Sequence, residues 1–398
     1  MDTLDALLRR DVAEGHDTKD KLLGAAFIVT DRNGIIYSGS AGRAGMHVDS
    51  PAWDGDTLTY GASLTKLPSA ICLMQLVERG LLRPDQDLRP LVPELREMQV
   101  LKGFTPEGQP VLEDNDRPMT LRQLMTHTVG LRYDVADPDL RRWSEAVGRP
   151  VGKTIRLSRD GYNTPLSFRP GDGWAYGSAL DWAGVALETA TRQRLGDYMR
   201  ERVLGPLGMR DTGFRPDQLP HTAGRRAEVA LRDADDGALS LFDDVPGEPG
   251  MDSAGAGIHT TANDYARLLR AMLQAEPAVV SAATARDMFA PRLDREQRAA
   301  LQEALHDAQA KPAYIPEFPD GVELQFGYGG LLAMEDLPGR RRKGSLCWVG
   351  AGNSRWWIDP ESGIAAVLMV AVFPFGDAVA CRLWADLERA VYDGLGSR

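Results

Sequence analysis

A serine and a lysine three positions apart, Ser63 and Lys66, begin an apolar helical pattern in the stretch LTYGASLTKLPSAICLMQLVERGLL, residues 58–82. Positions i and i+3 of a helix share a face, so the amine can reach the hydroxyl. A serine becomes a nucleophile beside a base, and lysine serves as that base when burial or a neighbouring cation lowers its pKa. The pair alone leaves two interpretations open, a nucleophile with its base or a serine that caps the helix.

Two further stretches bear on that choice. In WAYGSALDW, residues 174–182, Tyr176 stands two positions before Ser178 at the start of an apolar helical run. CWVGAGN, residues 347–353, is rich in glycine and lies within a predicted strand. In this order the three stretches resemble the penicillin-recognising serine enzymes, which combine S-x-x-K, a middle Y/S-x-N and a late K-T-G strand. Together they favour the nucleophile at Ser63 over the cap.

The chain resembles two subgroups more closely, the β-lactamase-like carboxylesterases of family VIII and the lovastatin-type acyltransferases of fungi. The resemblance covers nearly the whole chain and includes ASLTK, MQVLKGF, LRQLMTHTVGL, YGSALDWAG, PLGMRDTGF and the stretch from FGYGG to WWIDP. It implies that Ser63 is the nucleophile, that Lys66 takes its proton and that Tyr176 passes the proton to the leaving group. It also implies an oxyanion hole formed by the backbone N–H groups of Ser63 and Ala351, which needs no side chain at the second position.

Two positions depart from the pattern of the penicillin-recognising enzymes. Ser178 stands where they usually have asparagine, and Trp348 stands in the place of the lysine of K-T-G. That lysine supplies a cation for a substrate carboxylate, whereas an indole offers an apolar face and one N–H donor. The sequence therefore predicts an uncharged ester or thioester as substrate, bound by Trp348, Gly350, Ser178 and Tyr133. Gly350 is expected to leave room for the substrate, although a strand bulge explains this glycine nearly as well.

Other residues suggest chemistry that the pattern does not favour. His127 suggests a Ser-His-Asp triad as an alternative catalytic set. No G-x-S-x-G occurs in the chain, however, and a structural hydrogen-bonding role is predicted for this histidine instead. Lys343 in RRRKGS has the wrong offset from the glycine-rich strand, so a solvated charge cluster at a turn is predicted there. Trp356 and Trp357 are adjacent in a predicted strand, where one of them is expected in the core and the other could shape an acyl pocket.

The elements that must position these residues follow from periodicity and turn signals. Residues 25–40, with DRNG at the centre, predict an opening β-hairpin, and a helix is expected from near Ser63 to Gly80. Residues 83–255 predict a mainly helical region, in which the acidic stretch 233–252 is expected to form a solvated loop or flap.

Apolar runs follow towards the C-terminus, and a final helix is predicted over residues 378–394. The expected fold is α+β and β-lactamase/transpeptidase-like, with a central antiparallel sheet flanked by helices plus a mainly helical lobe. The sheet lobe is predicted to comprise residues 1–60 and 256–398, and the helical lobe residues 61–255.

Composition limits the classes of partner. The 398 residues carry 46 basic and 57 acidic side chains, a net charge of −11, so nucleic acid and anionic membrane surfaces are poor candidates. The first residues lack the pattern of a secretory signal, and no apolar run is long enough to cross a bilayer. The 3 cysteines are far apart and have no ligand spacing. We therefore expect a cytoplasmic protein without a metal or cofactor.

These observations predict a serine carboxylesterase with transesterase capacity that forms an acyl-Ser63 intermediate and passes the acyl group to water or an alcohol. A dedicated acyltransferase of secondary metabolism is the alternative, taking its acyl group from a CoA-type thioester or from an acyl carrier protein, which would then be a partner. A class C-like β-lactamase, a D,D-peptidase and a catalytically inactive binding protein fit the residues less well.

Overall fold

A computed structural model describes residues 2–244, 250–274 and 279–396. The strands are β1 (Gly24–Asp31), β2 (Ile35–Gly42), β3 (Thr59–Tyr60), β4 (Gln99–Phe104), β5 (Pro110–Asp114), β6 (Ala230–Arg232), β7 (Leu239–Leu241), β8 (His259–Thr260), β9 (Leu324–Phe326), β10 (Leu331–Ala333), β11 (Leu346–Val349), β12 (Arg355–Asp359), β13 (Ile364–Met369) and β14 (Val372–Phe373). The α-helices are α1 (Asp2–Asp11), α2 (Lys66–Glu78), α3 (Pro93–Glu97), α4 (Leu121–Met125), α5 (Pro138–Ala146), α6 (Arg159–Tyr162), α7 (Ala179–Thr191), α8 (Leu195–Met199), α9 (Gly205–Leu207), α10 (Ala262–Leu273), α11 (Ala282–Met288), α12 (Arg295–His306), α13 (Ala310–Tyr314) and α14 (Ala378–Gly396).

The central sheet has seven strands in the order β2-β1-β13-β12-β11-β10-β9, and every neighbouring pair is antiparallel. The N-terminal hairpin thus joins the C-terminal strands in one sheet, as predicted. Its turn forms at DRNG because Asp31 Oδ1 accepts hydrogen bonds from the N–H groups of Asn33 and Gly34, at 2.7 and 2.9 Å. The predicted α+β class is confirmed.

Helices cover both faces of this sheet. Neighbouring strand residues point to opposite faces, and in β12 the ring of Trp356 meets Tyr265 of α10 while that of Trp357 meets Tyr392 of α14. Both tryptophans are fully buried, so both belong to the core. The prediction that one of them could shape an acyl pocket is wrong, because each is covered by a helix.

The region predicted as helical contains two hairpins that the sequence analysis missed. Strands β4 and β5 pair antiparallel across a turn in which Gly108 takes a φ of +85°. Strands β6 and β7 pair within and beside the acidic stretch, and Phe242 just beyond them stacks on Phe373 with ring centroids 4.6 Å apart. That stretch is therefore partly an ordered hairpin, while residues 245–249 lie outside the described ranges. The division into two lobes remains a prediction.

The charges of RRRKGS are only partly solvated. Arg341 is fully buried and pairs with Glu388 and Glu317, each at 2.7 Å, and Arg340 pairs with Glu388 at 2.8 Å. The predicted solvated cluster is wrong for these two arginines, because acidic residues distant in the sequence supply buried partners. Lys343 is exposed at the turn, as expected.

Within the described ranges, no helix combines the length and the apolar character that a bilayer span requires.

Candidate active site

Ser63 lies in a tight 3-10 turn, Ala62–Thr65, that leads directly into α2. Ala62 takes a φ of +45°, a left-handed conformation that is uncommon for a residue with a side chain and is frequent at functional sites. The hydroxyl of Thr65 donates to the Ala62 carbonyl at 2.6 Å and holds this turn closed. The strained backbone is thus fixed directly beside the serine.

Pro68 sits in the first turn of α2, where its missing N–H costs little. The carbonyl of Leu64, which that N–H would otherwise reach, accepts a hydrogen bond from the hydroxyl of Tyr265 at 2.8 Å. The helix continues to Glu78 and Gly80 follows with a φ of +68°, as the sequence predicts.

Two side chains converge on the Ser63 hydroxyl. Lys66 Nζ lies 3.2 Å from Ser63 Oγ, and the hydroxyl of Tyr176 donates to the same oxygen at 2.6 Å. Ser63 does not cap α2, because its hydroxyl is engaged by these two groups. The structure therefore brings together the three residues that the sequence analysis singled out as a catalytic set.

The indole of Trp348 lies behind Tyr176. Its Nε1 donates to the Tyr176 hydroxyl at 3.0 Å, and the two rings are 5.0 Å apart. Trp348 does not line the cavity described below. Its predicted role in substrate binding is therefore not supported by its position, because the N–H group is directed at Tyr176.

Burial and one carboxylate decide the charge of Lys66. Burial lowers the pKa of Lys66 to about 8, and the negative charge of Asp181 partly offsets this effect. Burial raises the pKa of the Tyr176 hydroxyl, which therefore stays protonated at neutral pH. The amine is thus close to the point where it can accept a proton, and the phenol can donate one.

Asp181, on the first turn of α7, is a site residue that the sequence analysis missed. Its Oδ1 accepts hydrogen bonds from Ser253 Oγ and, at 3.0 Å, from the N–H of Gly255, whose carbonyl accepts from Lys66 Nζ at 2.8 Å. Its Oδ2 is buried without a hydrogen-bond partner among the described residues. A carboxylate within the apolar run ALDWAGVAL was the available signal, because an unpaired charge is rarely buried without a purpose.

The missing side chain of Gly255 keeps the amine and the carboxylate facing each other. A Cβ at this position would lie 2.6 Å from Asp181 Oδ2 and 3.2 Å from Lys66 Nζ. Any larger residue would therefore push between the two groups. Because residue 255 is glycine, no side chain at this position separates the Asp181 carboxylate from the Lys66 amine.

Ser63 and Ala351, whose backbone N–H groups are the predicted oxyanion-hole donors, both line the same cavity. Among the described residues, neither N–H donates to a backbone or side-chain acceptor. The end of β11 reaches the nucleophile turn because residue 350 is glycine: a Cβ there would lie 2.6 Å from the Gly61 carbonyl oxygen. Gly350 thus makes room for the neighbouring backbone and does not line the cavity, so its position does not support the predicted room for substrate.

Ser178 is fully buried at the start of α7, and its hydroxyl has no partner among the described residues. It does not line the cavity, so its predicted contact with substrate is not supported by its position. Two other side chains of the same motif extend towards the reacting centre, those of Tyr176 and Asp181.

His127 is buried between aromatic rings, with centroids 4.9 Å from Tyr176 and 5.4 Å from Phe326. Burial keeps it neutral by lowering its pKa well below the usual value. Its Nδ1 has no hydrogen-bond partner among the described residues. The histidine is structural, as predicted, but it acts by packing and not by the hydrogen bonding that was expected.

A cavity of about 270 Å³ opens above Ser63. Most of its wall is aromatic or aliphatic, and none of the described residues that line it is lysine or arginine. Asp244, at the rim, pairs with Arg156 at 2.6 Å. The lining residues are Tyr60, Ala62, Ser63, Tyr133, Val135, Ala136, Thr154, Ile155, Leu157, Tyr162, Tyr176, Phe242, Asp244, Ala256, Tyr314, Val349, Ala351, Phe373 and Phe375.

The described ranges contain no cluster of three or more histidine, cysteine, aspartate or glutamate side chains placed to hold a metal ion.

Known proteins resemble the chain over almost its entire length. The family model described as Beta-lactamase matches residues 4–389. The lovastatin esterase of Penicillium rubens is 34% identical over 369 residues, which cover 90% of this chain and 92% of that protein. The monacolin J acid methylbutanoyltransferase of Aspergillus terreus is 33% identical, with 93% of this chain and 91% of that protein covered. The structure of simvastatin synthase from Aspergillus terreus, LovD6 mutant, has a TM-score of 0.90 and 30% identity, covering 99% of this chain and 95% of that one.

Proposed function

The chain belongs to the Beta-lactamase family, and within that family we propose that it is a serine carboxylesterase and transesterase acting through an acyl-Ser63 intermediate. Its similarity to an esterase and to acyltransferases agrees with this activity. The observation that carries the proposal is the convergence of Lys66 and Tyr176 on Ser63 Oγ, at 3.2 and 2.6 Å. Nucleophile and base within hydrogen-bond reach, with a third group beside them, are the arrangement that serine catalysis needs.

The proposed reaction consists of acylation and deacylation of Ser63, and each of these two stages includes two proton transfers. Ser63 Oγ attacks the ester carbonyl and its proton goes to Lys66, while the Tyr176 hydroxyl gives a proton to the departing alcohol oxygen. Water or an acceptor alcohol then enters along the same side and the transfers run in reverse. The unpaired N–H groups of Ser63 and Ala351 are the proposed donors to the oxygen that becomes negative, and each such donor is worth about 3 kcal/mol.

The substrate is proposed to be uncharged around the reacting ester. The aromatic cavity wall contains no lysine or arginine among the described residues, so a carboxylate that enters loses its hydration without gaining a counter-charge. Lys66 does not line the cavity, and the Asp181 carboxylate faces its amine from the other side of position 255. Lys343 and the arginines of RRRKGS do not line the cavity either.

We expect p-nitrophenyl butyrate to be hydrolysed with a kcat/KM roughly 10²-fold higher than that of the anionic p-nitrophenyl hemisuccinate, because an unpaired buried charge costs a few kcal/mol. The measurement is kcat/KM for this matched pair, with nitrocefin as a carboxylate-bearing β-lactam. A preference for the anionic ester, or nitrocefin hydrolysis as fast as that of the butyrate, would contradict the proposed substrate class and revive the β-lactamase alternative.

Changing Asp181 to asparagine is expected to move the acidic limb of the kcat/KM profile to lower pH. In the wild type this limb should lie near pH 8, because Lys66 must lose its proton to act as the base and burial sets its pKa at about 8. The Asp181 carboxylate raises that pKa, so its removal lowers it further. Asparagine can still accept the hydrogen bonds of Ser253 and Gly255. The measurement is kcat/KM of p-nitrophenyl butyrate across the pH range.

Two other titratable groups face Lys66, and neither complicates this test. Tyr176 and His127 both stay neutral over the range, because burial raises the pKa of the phenol and lowers that of the imidazole. Asp244→Asn is the control, since this carboxylate is at the rim and already paired with Arg156. An Asp181→Asn limb that stays in place or moves to higher pH would contradict the assigned effect on Lys66.

A dedicated acyltransferase remains the alternative, because it would use the same residues. The proposed acyl donor is a simple ester, a CoA-type thioester or an acyl carrier protein. The positions of the site residues do not distinguish between these donors. The discriminating measurement is the ratio of hydrolysis to transfer for one donor, with and without an alcohol acceptor. If the chain is instead a catalytically inactive binding protein, a fluorophosphonate probe should not label Ser63.

A reducing, cytoplasmic location is also proposed. Cys72, Cys347 and Cys381 are all buried and free, and disulfides are rare in reduced compartments. Fractionation of the producing cells tests the location directly.

A further inference from the structure

Three tyrosines of the cavity have hydroxyl groups without a protein partner. Tyr60, Tyr133 and Tyr314 line the cavity, and none of their hydroxyls forms a hydrogen bond with any described residue. Two other lining tyrosines differ, since Tyr176 donates to Ser63 and Tyr162 donates to Ser253 at 3.0 Å. The hydroxyls of Tyr60, Tyr133 and Tyr314 are therefore free to bond a ligand in the cavity.

Aromatic surface alone does not require these hydroxyls. The same cavity has phenylalanine at positions 242, 373 and 375, which provide apolar area without a polar group. A phenol can donate and accept one hydrogen bond each, and these three tyrosines are only partly buried, so solvent satisfies their hydroxyls in the unliganded cavity. A ligand that displaces this water leaves the hydroxyls unfavourably unpaired unless it supplies hydrogen-bonding groups. Unpaired phenols among phenylalanines therefore indicate a ligand with polar atoms of its own.

Two of these tyrosines flank the proton donor. The ring of Tyr133 lies 5.8 Å from that of Tyr176 and the ring of Tyr314 lies 5.9 Å from it, both in edge-to-face geometry. Tyr176 contacts Ser63 Oγ and is the group that gives its proton to the departing alcohol in the proposed reaction. Tyr133 and Tyr314 thus line the cavity directly beside the group that gives its proton to the departing alcohol.

The charge of the ligand is constrained independently. No lysine or arginine lines the cavity within the described ranges, and the rim carboxylate of Asp244 is paired with Arg156. Neutral hydrogen-bonding groups in an apolar wall select uncharged oxygen atoms, such as those of ethers, ketones, lactones or further hydroxyls.

We infer that Tyr133 and Tyr314 form a hydrogen-bonding subsite for a second, uncharged oxygen atom in the alcohol part of the substrate. The inference rests on the proposed acyl-transfer function and deepens it. It assigns as substrates the esters of oxygen-bearing neutral alcohols in preference to those of plain hydrocarbon alcohols. The subsite serves a leaving alcohol and an acceptor alcohol equally, because both occupy the same place beside Tyr176.

The test uses two alcohols of the same ring size, tetrahydropyran-4-ol and cyclohexanol, which differ by an ether oxygen in place of a methylene group. Their butyrate esters are hydrolysed by the wild type, by Tyr133→Phe and by Tyr314→Phe, and kcat/KM is measured for each. Wild type is expected to prefer the oxygen-bearing ester about tenfold, the size of effect that one hydrogen bond gives. At least one of the two variants should lose most of that preference.

A matched control and a reference substrate separate the possible failures. Tyr328→Phe removes a phenol that lies outside the cavity, bonded to Arg122 at 3.0 Å, and should leave the preference unchanged. Hydrolysis of p-nitrophenyl butyrate reports on acyl-enzyme formation in every protein. If the wild type does not turn over that ester, the proposed function fails.

If p-nitrophenyl butyrate is hydrolysed but the wild type prefers the cyclohexyl ester, or hydrolyses neither aliphatic ester, the subsite is refuted and the function stands. A wild-type preference that survives in both phenylalanine variants refutes the assignment to these two residues. The ratio of kcat/KM for the two butyrate esters in the wild type can by itself refute the subsite. The inference therefore stays testable even if a variant fails to fold.

Discussion

Replacing Ser63 with alanine is expected to lower kcat for p-nitrophenyl butyrate by about 10⁴-fold or more while the protein stays folded. The hydroxyl is the proposed attacking atom, and within the described residues its hydrogen bonds are those with Lys66 and Tyr176. Its removal therefore leaves the packing of α2 and the sheet in place. The measurements are steady-state turnover and a thermal unfolding curve for both proteins.

Mass spectrometry identifies the nucleophile independently of rate. Wild type incubated with a slowly deacylating ester should gain one acyl group on the peptide that contains Ser63, and Ser63→Ala should gain none. Ser69→Ala is a matched control, because Ser69 is a buried serine of α2, the helix that follows the Ser63 turn, and its hydroxyl has no partner among the described residues. An adduct on another serine, or turnover retained by Ser63→Ala, would refute the assignment.

The sequence is sufficient to predict the catalytic set because each member lies in a local pattern. The three-residue spacing of Ser63 and Lys66 fixes their relation within one turn, and the Tyr176 motif precedes a helix that is apolar enough to be recognised. The strand pairing of the two chain ends was also predictable, since alternation and the Asn-Gly turn act locally. These contacts depend little on the remainder of the fold.

The residues whose predicted roles the structure does not support depend on contacts between distant segments. The role of Gly350 follows from the Gly61 carbonyl, which lies directly against it in the structure. The role of Trp348 follows from the hydrogen bond that its indole donates to the Tyr176 hydroxyl. The buried pairing of Arg341 with Glu317 and Glu388 has the same origin, because the partners lie 24 and 47 positions away. Spacing along the chain does not encode such neighbours.

Asp181 differs from these residues because its own sequence context contained a signal. A carboxylate within an apolar helical run must be paired, protonated or functional. The structure shows that Oδ1 is hydrogen-bonded and Oδ2 faces Lys66 across Gly255. A search for isolated charges in apolar helices would have found this residue before the structure did, although not the lysine that it acts on.

Lys66→Met and Tyr176→Phe are each expected to lower kcat by about 10² or more, the loss that follows removal of a positioned proton-transfer group. Lys66→Met removes the amine that takes the Ser63 proton and leaves a chain of similar length in its buried site. Tyr176→Phe removes the hydroxyl that donates to Ser63 and leaves the Trp348 N–H without its acceptor. Lys343→Met is the control for the first change, because that lysine is exposed and outside the cavity.

The double variant tests whether the two residues act as one relay. Both contact the same oxygen atom, so once either is missing the other cannot complete the proton transfer, and the combined loss in kcat should be close to that of the worse single variant. The measurement is a double-mutant cycle on kcat at a pH above the Lys66 pKa of about 8. Fully multiplicative losses, or a Tyr176→Phe variant within tenfold of wild type, would show that the two groups act separately. In that case Lys66 alone would have to serve both the nucleophile and the departing alcohol.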